Sequence, residues 1–417
     1  MSGVWPAPRD GDAGGPLNGF RILDLSVNMT GPTATLMLAQ QGADVIKVEP
    51  PAGDVVRRVG TGRDGTSAYF ANLNRSKRSI VLDLQKPAGR DLAARLAGDA
   101  DVLVQNYRPG VVERLGLGPD EMCAANPTLV YVSINGFGRS GPMGALPAYD
   151  HVVQALSGIA ALQSDPRDGT GALVRHGIVD KATGYTVAQA VTAALLARTR
   201  TGTGTRIEVS MLDTALNFVW PDGMMNQTCL DPVTTVPPIA NTFRPTRTAD
   251  GYIVLITVTD DQWQRLLRAA GLAHLLDDPE FRTPADRLKH GGRAMRQVAA
   301  VLAALPTAEV LERLSSHDVP CAPITALDDV ASHPQVVAAG SLEETIDPVL
   351  GRVVQPRPAA RFTDIGEARR RPSPALGQHT VEVLEDMGLS AAEVASLRAD
   401  GVLGGSRPDV AEPGDDR

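Results

Sequence analysis

Three consecutive stretches near the start of the chain decide the fold: Arg21-Ile22-Leu23-Asp24-Leu25, then Pro32 to Gln41, then Ala43-Asp44-Val45-Ile46-Lys47-Val48-Glu49. The first and third are short apolar runs typical of buried strands. The second has helical spacing, with proline at its first position. This order predicts two parallel strands joined by a crossover helix.

The same alternation recurs along the first half of the chain. It predicts a mostly parallel sheet with helices on both faces, whose ligands bind outside the carboxyl ends of the strands. The further predicted strands are 79–84, 101–106, 129–134 and 206–210, and the further predicted helices are 87–96, 120–125 and one from Met211.

Two proline-rich passages, 221–240 and 327–375, have the composition of linkers and divide the chain into domains. The residues before them, 17–220, form the predicted large domain, and 241–326 form a smaller α+β domain. The tails 1–16 and 404–417 are polar and rich in helix breakers, which predicts disorder. The remaining elements predicted are a strand at 252–259 and helices at 260–270, about 293–305, 307–316, 380–387 and 391–398.

Composition narrows the class of protein. The chain has 417 residues and a formal net charge of −8, which argues against nucleic acid or an anionic membrane as the main partner. No apolar run reaches the roughly 18 residues of a membrane span, and the first residues lack the apolar core of a signal peptide. Cys123, Cys229 and Cys321 are too far apart for a metal cluster or a disulfide framework. We therefore expect a cytoplasmic protein without a metal.

Polar residues follow the predicted strands at their carboxyl ends. The turn Ser26 to Pro32, which contains Asn28, offers backbone N–H groups to an anion, although it lacks the G-x-G-x-x-G dinucleotide fingerprint. Another strand ends in Asn106-Tyr107-Arg108-Pro109-Gly110, with Arg114 shortly after it. Arg108 and Arg114 are either a phosphate clamp or two solvated surface cations.

One carboxylate, Asp180, stands out at the mouth of a small-residued apolar helix, 185–196. Its neighbourhood reads Val174-Arg175-His176-Gly177-Ile178-Val179-Asp180-Lys181-Ala182-Thr183-Gly184. Asp180 is either a helix N-cap or a nucleophile. Arg175 and His176 either meet a substrate carboxylate or point to the other face. Asp150, in Tyr149-Asp150-His151, has the same cap interpretation open to it.

Several separated motifs together resemble the class III coenzyme A transferases, the family of formyl-CoA transferase and the carnitine CoA-transferases, with the related 2-methylacyl-CoA racemases. The resemblance extends from about Leu17 to Leu389. Its motifs are Leu23-Asp24-Leu25-Ser26 with Gly31-Pro32, Gly42 to Glu49, Asn74 to Ser79, Asn106 to Gly110 with Arg114, Gly136-Phe137-Gly138 with Gly141-Pro142, Tyr149-Asp150, Gly177 to Asp180, Thr248 to Gly251, Asp261-Gln262-Trp263, Val319 to Pro323 and Leu376 to Thr380.

This resemblance implies an architecture. The fold class expected is α/β, with a Rossmann-like large domain built from both chain ends, so that residues 327–403 comprise a linker and a return to the large domain. A smaller α+β domain is joined through two linkers, and two chains form an interlocked homodimer.

The resemblance also implies site residues. Asp180 falls on the nucleophile, and CoA enters as a substrate, in acyl-CoA form, with no permanently bound cofactor. The CoA-binding candidates are Asn106, Tyr107, Arg114, Lys77, Asn28 and Tyr149. The family often has Arg after Val48-Glu49, where this chain has Pro50-Pro51, so that contact is either missing or supplied by Arg57 or Arg58.

A carboxylate nucleophile suits transfer of CoA to a carboxylic acid without ATP, because a mixed anhydride and then an aspartyl-CoA thioester conserve the energy of the first thioester. Both intermediates demand that water be excluded and that N–H donors face the oxyanion. Relatives supply some donors from a glycine-rich loop in the small domain. No glycine run occurs between Cys229 and Thr248, which leaves that source in doubt.

Two alternatives stay open at the level of sequence. A 2-methylacyl-CoA racemase pairs its Asp with a His that stands where this chain has Tyr149. His151 lies nearby, but two residues along a helix turn it about 200° away from that direction. A CoA-binding protein without catalysis is the other alternative.

Overall fold

A computed structural model describes residue 5 and residues 14–164, 169–233, 237–368 and 370–404. Most of the predicted leader, residues 1–4 and 6–13, and most of the predicted tail, residues 405–417, lie outside the described residues.

The strands follow the predicted order in the first half of the chain. They are β1 (Arg21–Asp24), β2 (Asp44–Glu49), β3 (Gly62–Arg63), β4 (Thr66–Ser67), β5 (Arg78–Val81), β6 (Val102–Gln105), β7 (Val130–Asn135), β8 (Thr205–Ser210), β9 (Thr246–Arg247), β10 (Tyr252–Leu255), β11 (Cys321–Pro323), β12 (Leu342–Asp347) and β13 (Gly351–Pro356).

Helices connect most of these strands. They are α1 (Thr30–Gln40), α2 (Ala68–Asn74), α3 (Pro87–Asp99), α4 (Val111–Arg114), α5 (Pro119–Ala125), α6 (Asp150–Leu156), α7 (Ile159–Leu162), α8 (Ile178–Thr201), α9 (Met211–Gly223), α10 (Met225–Thr228), α11 (Asp260–Ala269), α12 (Pro284–Leu302), α13 (Thr307–Ser316), α14 (Pro334–Ala338), α15 (Thr380–Asp386) and α16 (Ala391–Ala399). Among the described residues, no helix has the length and apolar character needed to span a bilayer.

The central sheet is parallel, which confirms the predicted α/β class. Its strand order is β5-β2-β1-β6-β7-β8, and every neighbouring pair runs in the same direction. Leu23 of β1 lies opposite Ile46 of β2 and Leu103 of β6. The order of the strands reverses between β1 and β6, so the carboxyl ends of these two strands border the crevice where open α/β sheets bind ligands.

Alternate residues of the strands feed two apolar cores, one on each face of the sheet. Leu23, Leu103 and Tyr131 belong to the core that packs against α3, α15 and α16. Ile22 and Val102 belong to the core that packs against α1 and α8. Strands buried on both faces need continuous apolar runs, which is why the local sequence located them well.

Several element boundaries differ from those expected. Helix α1 begins at Thr30, two residues before Pro32, because proline also fits the first turn, where backbone N–H groups have no intrahelical acceptor. Helix α12 begins at Pro284 rather than 293, with the Thr283 side chain accepting a hydrogen bond from the Asp286 N–H. Strand β10 ends at Leu255, since its partner β11 extends only to Cys321 there. The antiparallel hairpin β12–β13 lies inside the passage interpreted as a linker.

The chain divides into two compact units, Met1–Phe218 with Ser341–Arg417, and Val219–Gly340. The first contains the parallel sheet, and the apolar core between the sheet and α3 includes Val383, Leu384 and Val394 from the C-terminal helices together with strand residues. The second contains the antiparallel sheet β11-β10-β9 and a core formed with α11, α12 and α13.

Charged side chains are buried beneath the carboxyl ends of β1 and β2. Lys77 Nζ lies 3.1 Å from Asp24 Oδ2, and Lys47 Nζ lies 3.0 Å from Asp54 Oδ2, with all four side chains fully buried. Neither pair has solvent to screen it, so each charge depends on its partner.

Electrostatics keeps these groups charged. Burial opposes ionisation of Asp24, but Lys77 and Lys47 outweigh it and lower the pKa of Asp24 to about 2. Burial lowers the pKa of Lys77 to about 8, against the attraction of Asp24. Both groups are therefore ionised at neutral pH.

We expect Lys77→Met to lower the free energy of unfolding by about 3–5 kcal/mol, because it leaves the buried Asp24 carboxylate unpaired. The measurement is urea unfolding of the wild type, Lys77→Met, Asp24→Asn and the double variant. The double variant should lose clearly less stability than the sum of the single losses. Additivity within about 0.5 kcal/mol would show that the two side chains do not support each other.

Candidate active site

The loop between β1 and α1, residues 25–29, is bound to the carboxyl end of β6. Asn106 Oδ1 accepts the Val27 N–H at 2.9 Å, and Asn106 Nδ2 donates to the Val27 carbonyl at 2.8 Å. Asn28 follows with a φ of 68°, a left-handed conformation that asparagine tolerates, and its N–H donates to Asp54 Oδ1 at 3.2 Å. Asn28 and Asn106 thus lie on neighbouring loops, as the strand order requires.

The buried lysines support this loop from below. Lys47 Nζ donates to the Ser26 carbonyl at 2.7 Å. Lys77 Nζ donates to the Pro32 carbonyl at 3.0 Å and to Asn74 Oδ1 at 2.9 Å, in addition to Asp24. These contacts use the three N–H donors of an ammonium group, so the fully buried Lys77 has no donor left for the CoA contact predicted for it.

Asp180 is the third residue of α8 and is 8% exposed. Gly177 occupies the N-cap position of this helix without a side-chain contribution, so Asp180 does not cap its own helix. Its Oδ1 accepts a hydrogen bond from the Thr30 hydroxyl, at the first position of α1. The two helix starts, 150 residues apart in sequence, thus meet at this carboxylate.

A second carboxylate, Asp150, performs the capping role that the sequence left open for both residues. Asp150 Oδ2 accepts the backbone N–H of Asp180 at 2.9 Å, one of the N–H groups that α8 leaves without an intrahelical acceptor. Asp150 is itself the first residue of α6 and is buried. Its carboxylate therefore serves the neighbouring helix and fixes the backbone at Asp180.

Gln154 completes this support from the next turn of α6. Its Nε2 donates to Asp150 Oδ1, and its Oε1 accepts the Val174 N–H at 2.9 Å. Gln154 is fully buried, so both bonds are shielded from water. Helix α6 thus holds the segment that leads into α8 at both of its ends.

The close approach of α1 and α8 depends on Gly184. A Cβ at this position would lie 2.7 Å from the Cβ of Thr33 and 2.9 Å from the Thr30 carbonyl oxygen. Because the latter is a backbone atom, a side chain at 184 would force the helices apart. Glycine at 184 therefore allows Thr30 to reach Asp180.

Burial is the main influence on the nucleophile candidate, and it raises the pKa of Asp180. The Thr30 hydrogen bond opposes this rise, whereas the negative charge of Asp150 adds to it, and the charges of His151 and Lys181 oppose it weakly. Burial, with the carboxylates of Asp180, Asp54 and Asp150, also raises the pKa of Tyr69 to about 12. The Tyr69 phenol therefore stays protonated at neutral pH.

The cationic candidates lie around the site at the surface. Arg175 and His176 are exposed, and Lys181 Nζ lies 3.2 Å from His176 Nδ1. Arg114 is exposed in the short helix α4, after β6.

Arg57 and Arg58 differ in burial. Arg57 pairs with Glu49 at 2.6 Å and stacks 3.5 Å above the Phe70 ring, where it is buried. Arg58 is exposed, so it remains the candidate for the contact missing at Pro50.

Two aromatic candidates differ in exposure. Tyr107 is half-buried, and burial raises the pKa of its phenol. Tyr149 is exposed and directly precedes Asp150 at the start of α6. The structure thus places Asn28, Asn106 and Tyr107 at the ends of β1 and β6, and Tyr149 beside the Asp150 cap.

Sequence analysis missed Thr30, Gln154 and Tyr69. Thr30 stands directly before the Gly31-Pro32 motif, so a hydroxyl in a motif of a predicted loop was the available signal. Gln154 lies four residues after Asp150, a spacing that puts two side chains on one helical face. Tyr69 carried no signal in the local pattern.

The sequence profile described as CoA-transferase family III matches residues 17–380. The chain belongs to CoA-transferase family III. The succinyl-CoA:glutarate CoA-transferase of Mus musculus is 34% identical over 392 residues, covering 92% of this chain and 90% of that protein. The formyl-CoA:oxalate CoA-transferase of Streptomyces coelicolor is 33% identical over 412 residues, covering 93% and 99%.

Solved structures of the same family resemble the fold. A hypothetical protein from Mycobacterium tuberculosis has a TM-score of 0.78 at 31% identity, covering 89% of this chain and 100% of that one. A CAIB/BAIF family protein from Brucella suis has a TM-score of 0.76 at 28% identity, covering 90% and 100%.

Membership of CoA-transferase family III decides between the alternatives left open by the sequence. The chain is an enzyme of the CoA-transferase class, so the hypothesis of a CoA-binding protein without catalysis is set aside. The racemase hypothesis is not favoured, since the relatives described above are named CoA-transferases.

We expect Asp150→Asn to shift the acid limb of the pH dependence of kcat/KM to lower pH. The negative charge of Asp150 raises the pKa of Asp180, so a neutral amide lets Asp180 ionise at lower pH. The measurement is CoA transfer as a function of pH, with Asp91→Asn on the exposed side of α3 as the control. An acid limb that stays in place or moves upward would contradict the electrostatic role of Asp150.

Proposed function

We propose that this enzyme transfers coenzyme A from an acyl-CoA thioester to a carboxylic acid, with Asp180 as the nucleophile. The main support is the burial and the hydrogen bonding of the Asp180 carboxylate. Asp180 is buried at a helix start, Thr30 bonds its Oδ1, and no described residue donates a hydrogen bond to its Oδ2. One oxygen is thus held and the other is available to attack.

The proposed reaction begins when Asp180 Oδ2 attacks the thioester carbonyl carbon. The carbon–sulfur bond breaks, CoA leaves as a thiolate, and an acyl-aspartyl mixed anhydride forms. The thiolate then attacks Cγ of Asp180 and releases the donor acid as a carboxylate, which leaves an aspartyl-CoA thioester.

The acceptor carboxylate reverses these two steps. It attacks the aspartyl-CoA carbonyl carbon, expels the thiolate and forms a second mixed anhydride with Asp180. The thiolate attacks the acceptor's carbonyl carbon in this anhydride, which gives the new acyl-CoA and returns Asp180 as a carboxylate. No ATP is consumed, because each intermediate conserves the energy of the bond that it replaces.

Water must be kept from these intermediates, since both anhydride and thioester hydrolyse. Thr183 and Gly184 follow Asp180 and are buried against α1. On the other side, Asp150 and Gln154 are buried and bonded to each other. This close packing behind the carboxylate supports the proposal that only the substrate side of Asp180 is open.

We propose that CoA binds at the ends of β1 and β6. Exposed Arg108 and Arg114 follow β6 and suit the phosphates of the nucleotide. Asn28, Asn106, Tyr107 and Tyr149 are the proposed uncharged contacts. Asn106 would act partly through the backbone of Val27, which its side chain already holds.

For the acids, the names of the relatives suggest dicarboxylates. Those relatives are named for succinate with glutarate and for oxalate, and each of these carries a second carboxylate. Lys181 follows Asp180 directly, and His176 stands four residues before it. The side chains of Lys181 and His176 contact each other. We propose Lys181 and Arg175 as the cations that meet the second carboxylate of an acid substrate, with the His176 ring beside Lys181 as a further polar contact.

We also propose that the enzyme is a homodimer, interlocked as the family resemblance implies. Helix α8 exposes Tyr185 and Leu196, which lie on the same face of the helix as the exposed residues 189 and 192. Val152 and Leu156 are exposed on α6, and these two helices contact each other. The same face of α8 carries the polar side chains of Gln189 and Thr192, and such a mixture of exposed apolar and polar side chains is found in protein interfaces.

Sedimentation equilibrium should therefore show a dimer. Leu196→Glu should reduce the dimer fraction, because it buries a charge in the interface. Gln85→Glu adds the same charge at an exposed residue elsewhere and should leave the dimer intact. A monomeric wild-type protein would reject the homodimer.

We expect Asp180→Asn to abolish CoA transfer while leaving CoA affinity largely unchanged, because an amide keeps the shape of the side chain but is no nucleophile. Arg114→Ala should weaken the affinity for CoA itself about tenfold, as the loss of one charge-assisted hydrogen bond of about 1.5 kcal/mol predicts. The measurements are calorimetric titration with CoA and a transfer assay with succinyl-CoA and a panel of dicarboxylic acids.

Arg206→Ala is the matched control for Arg114→Ala. Arg206 is exposed at the amino end of β8, on the opposite edge of the sheet, and its removal should leave CoA affinity unchanged. Transfer by Asp180→Asn would reject the nucleophile, and full CoA affinity in Arg114→Ala would remove this arginine from the site.

A further inference from the structure

Thr30 touches the reacting group and has no role in the reaction as described so far. It is 4% exposed at the first position of α1, and its hydroxyl reaches Asp180 Oδ1. A carboxylate has no proton to offer, so the threonine hydroxyl is the donor in this bond. The close packing of α1 on Gly184 holds the donor in place.

The strength of the hydrogen bond from Thr30 to Asp180 Oδ1 changes from one step of the proposed reaction to the next. When Asp180 Oδ2 attacks the thioester, negative charge leaves the carboxylate, and a hydrogen bond to Oδ1 weakens. When the CoA thiolate attacks Cγ of the resulting anhydride, the carbonyl electrons move onto Oδ1, and the same bond strengthens. Only an interaction that strengthens toward the transition state accelerates a step.

We infer that Thr30 is a catalytic residue that donates the hydrogen bond to the oxyanion formed on the aspartyl carbonyl. This inference rests on the proposed function. In the step concerned, the sulfur–Cγ bond forms, charge rises on Oδ1 under the Thr30 hydroxyl, and the bond from Cγ to the bridging anhydride oxygen breaks. The donor acid leaves as its carboxylate, and the proton of Thr30 stays on its own oxygen.

A side-chain donor at Asp180 replaces N–H donors that the described contacts do not supply. No run of glycines between Cys229 and Thr248 offers N–H donors, and the backbone N–H of Asp180 is already bonded to Asp150. A preorganised side-chain hydroxyl in a water-poor site performs the same function as an N–H donor. The acceptor's attack on the aspartyl-CoA thioester uses it again, because charge returns to the same oxygen.

The test uses Thr30→Val, which keeps the shape and removes the hydroxyl, and Thr30→Ser, which keeps the hydroxyl. Thr33→Val is the matched control. Thr33 lies one turn further along α1, is buried to the same degree, and its hydroxyl has no hydrogen-bond partner among the described residues. The wild type and each variant are mixed with succinyl-CoA without an acceptor and quenched rapidly.

Mass spectrometry then follows the covalent CoA adduct on the peptide that contains Asp180, and a thiol reagent follows free CoA. We expect Thr30→Val to form the adduct about 10²-fold more slowly, the loss typical of one oxyanion donor, and Thr30→Ser to stay within about fivefold of the wild type. Because the first step is spared, the anhydride of Thr30→Val should be hydrolysed instead, so more free CoA appears for each adduct formed. This quotient of free CoA to adduct is the ratio of hydrolysis to transfer. Thr33→Val should match the wild type.

A purely structural role for Thr30 predicts a different result. It would lower the yield of folded protein or slow both steps, without raising the ratio of hydrolysis to transfer. The acid limb of the pH profile separates the two further, since the Thr30 bond lowers the pKa of Asp180 and its loss should move that limb to higher pH. If Thr30→Val does not fold, Thr30→Ala carries the same expectations.

Two outcomes overturn different claims. Adduct formation at the wild-type rate in Thr30→Val, with an unchanged ratio of hydrolysis to transfer, would remove Thr30 from the chemistry and leave Asp180 as the nucleophile. If the wild type forms no CoA adduct, or only an adduct that Asp180→Asn forms as well, the proposed function is rejected.

Discussion

The site depends on ion pairs that never meet solvent. Lys77 with Asp24 and Lys47 with Asp54 lie beneath the loop between β1 and α1. Lys47 also bonds the Ser26 carbonyl in this loop, and Lys77 bonds the Pro32 carbonyl in the first turn of α1. Together with the bonds from Asn106 to Val27, these charges hold the backbone that leads to Thr30 and its contact with Asp180.

Opposed effects on one carboxylate follow from this arrangement. Burial and the Asp150 charge disfavour the ionised form of Asp180, whereas the Thr30 hydroxyl favours it. A carboxylate whose ionised form is strongly stabilised is a poor nucleophile. One whose ionised form is strongly destabilised stays protonated. The surroundings of Asp180 thus balance reactivity against ionisation, with Asp150 acting on both its charge and its backbone position.

The sheet was predictable from sequence because strands that are buried on both faces have short apolar runs, such as the one within Arg21 to Leu25. The sequence singled out Asp180 by its place at the start of an apolar helix of small residues, and only the family resemblance suggested that it is a nucleophile. Lys77 was predicted as a CoA contact from the family resemblance alone, and its burial against Asp24 leaves no trace in the local sequence. The contacts of Thr30 and Asp150 join residues 150 and 30 positions apart, and no local pattern encodes them.

The two hydrogen bonds between the Asn106 side chain and the Val27 backbone connect the end of β6 to the segment that contains Thr30. Val27 is three residues from Thr30, and the loop between them is too short and too well bonded to bend independently. The end of β6 and the hydroxyl that bonds Asp180 are therefore connected by four residues of well-bonded backbone. If CoA binds at β6 and reacts at Asp180, as we propose, substitutions in residues 27–30 change kcat and KM together.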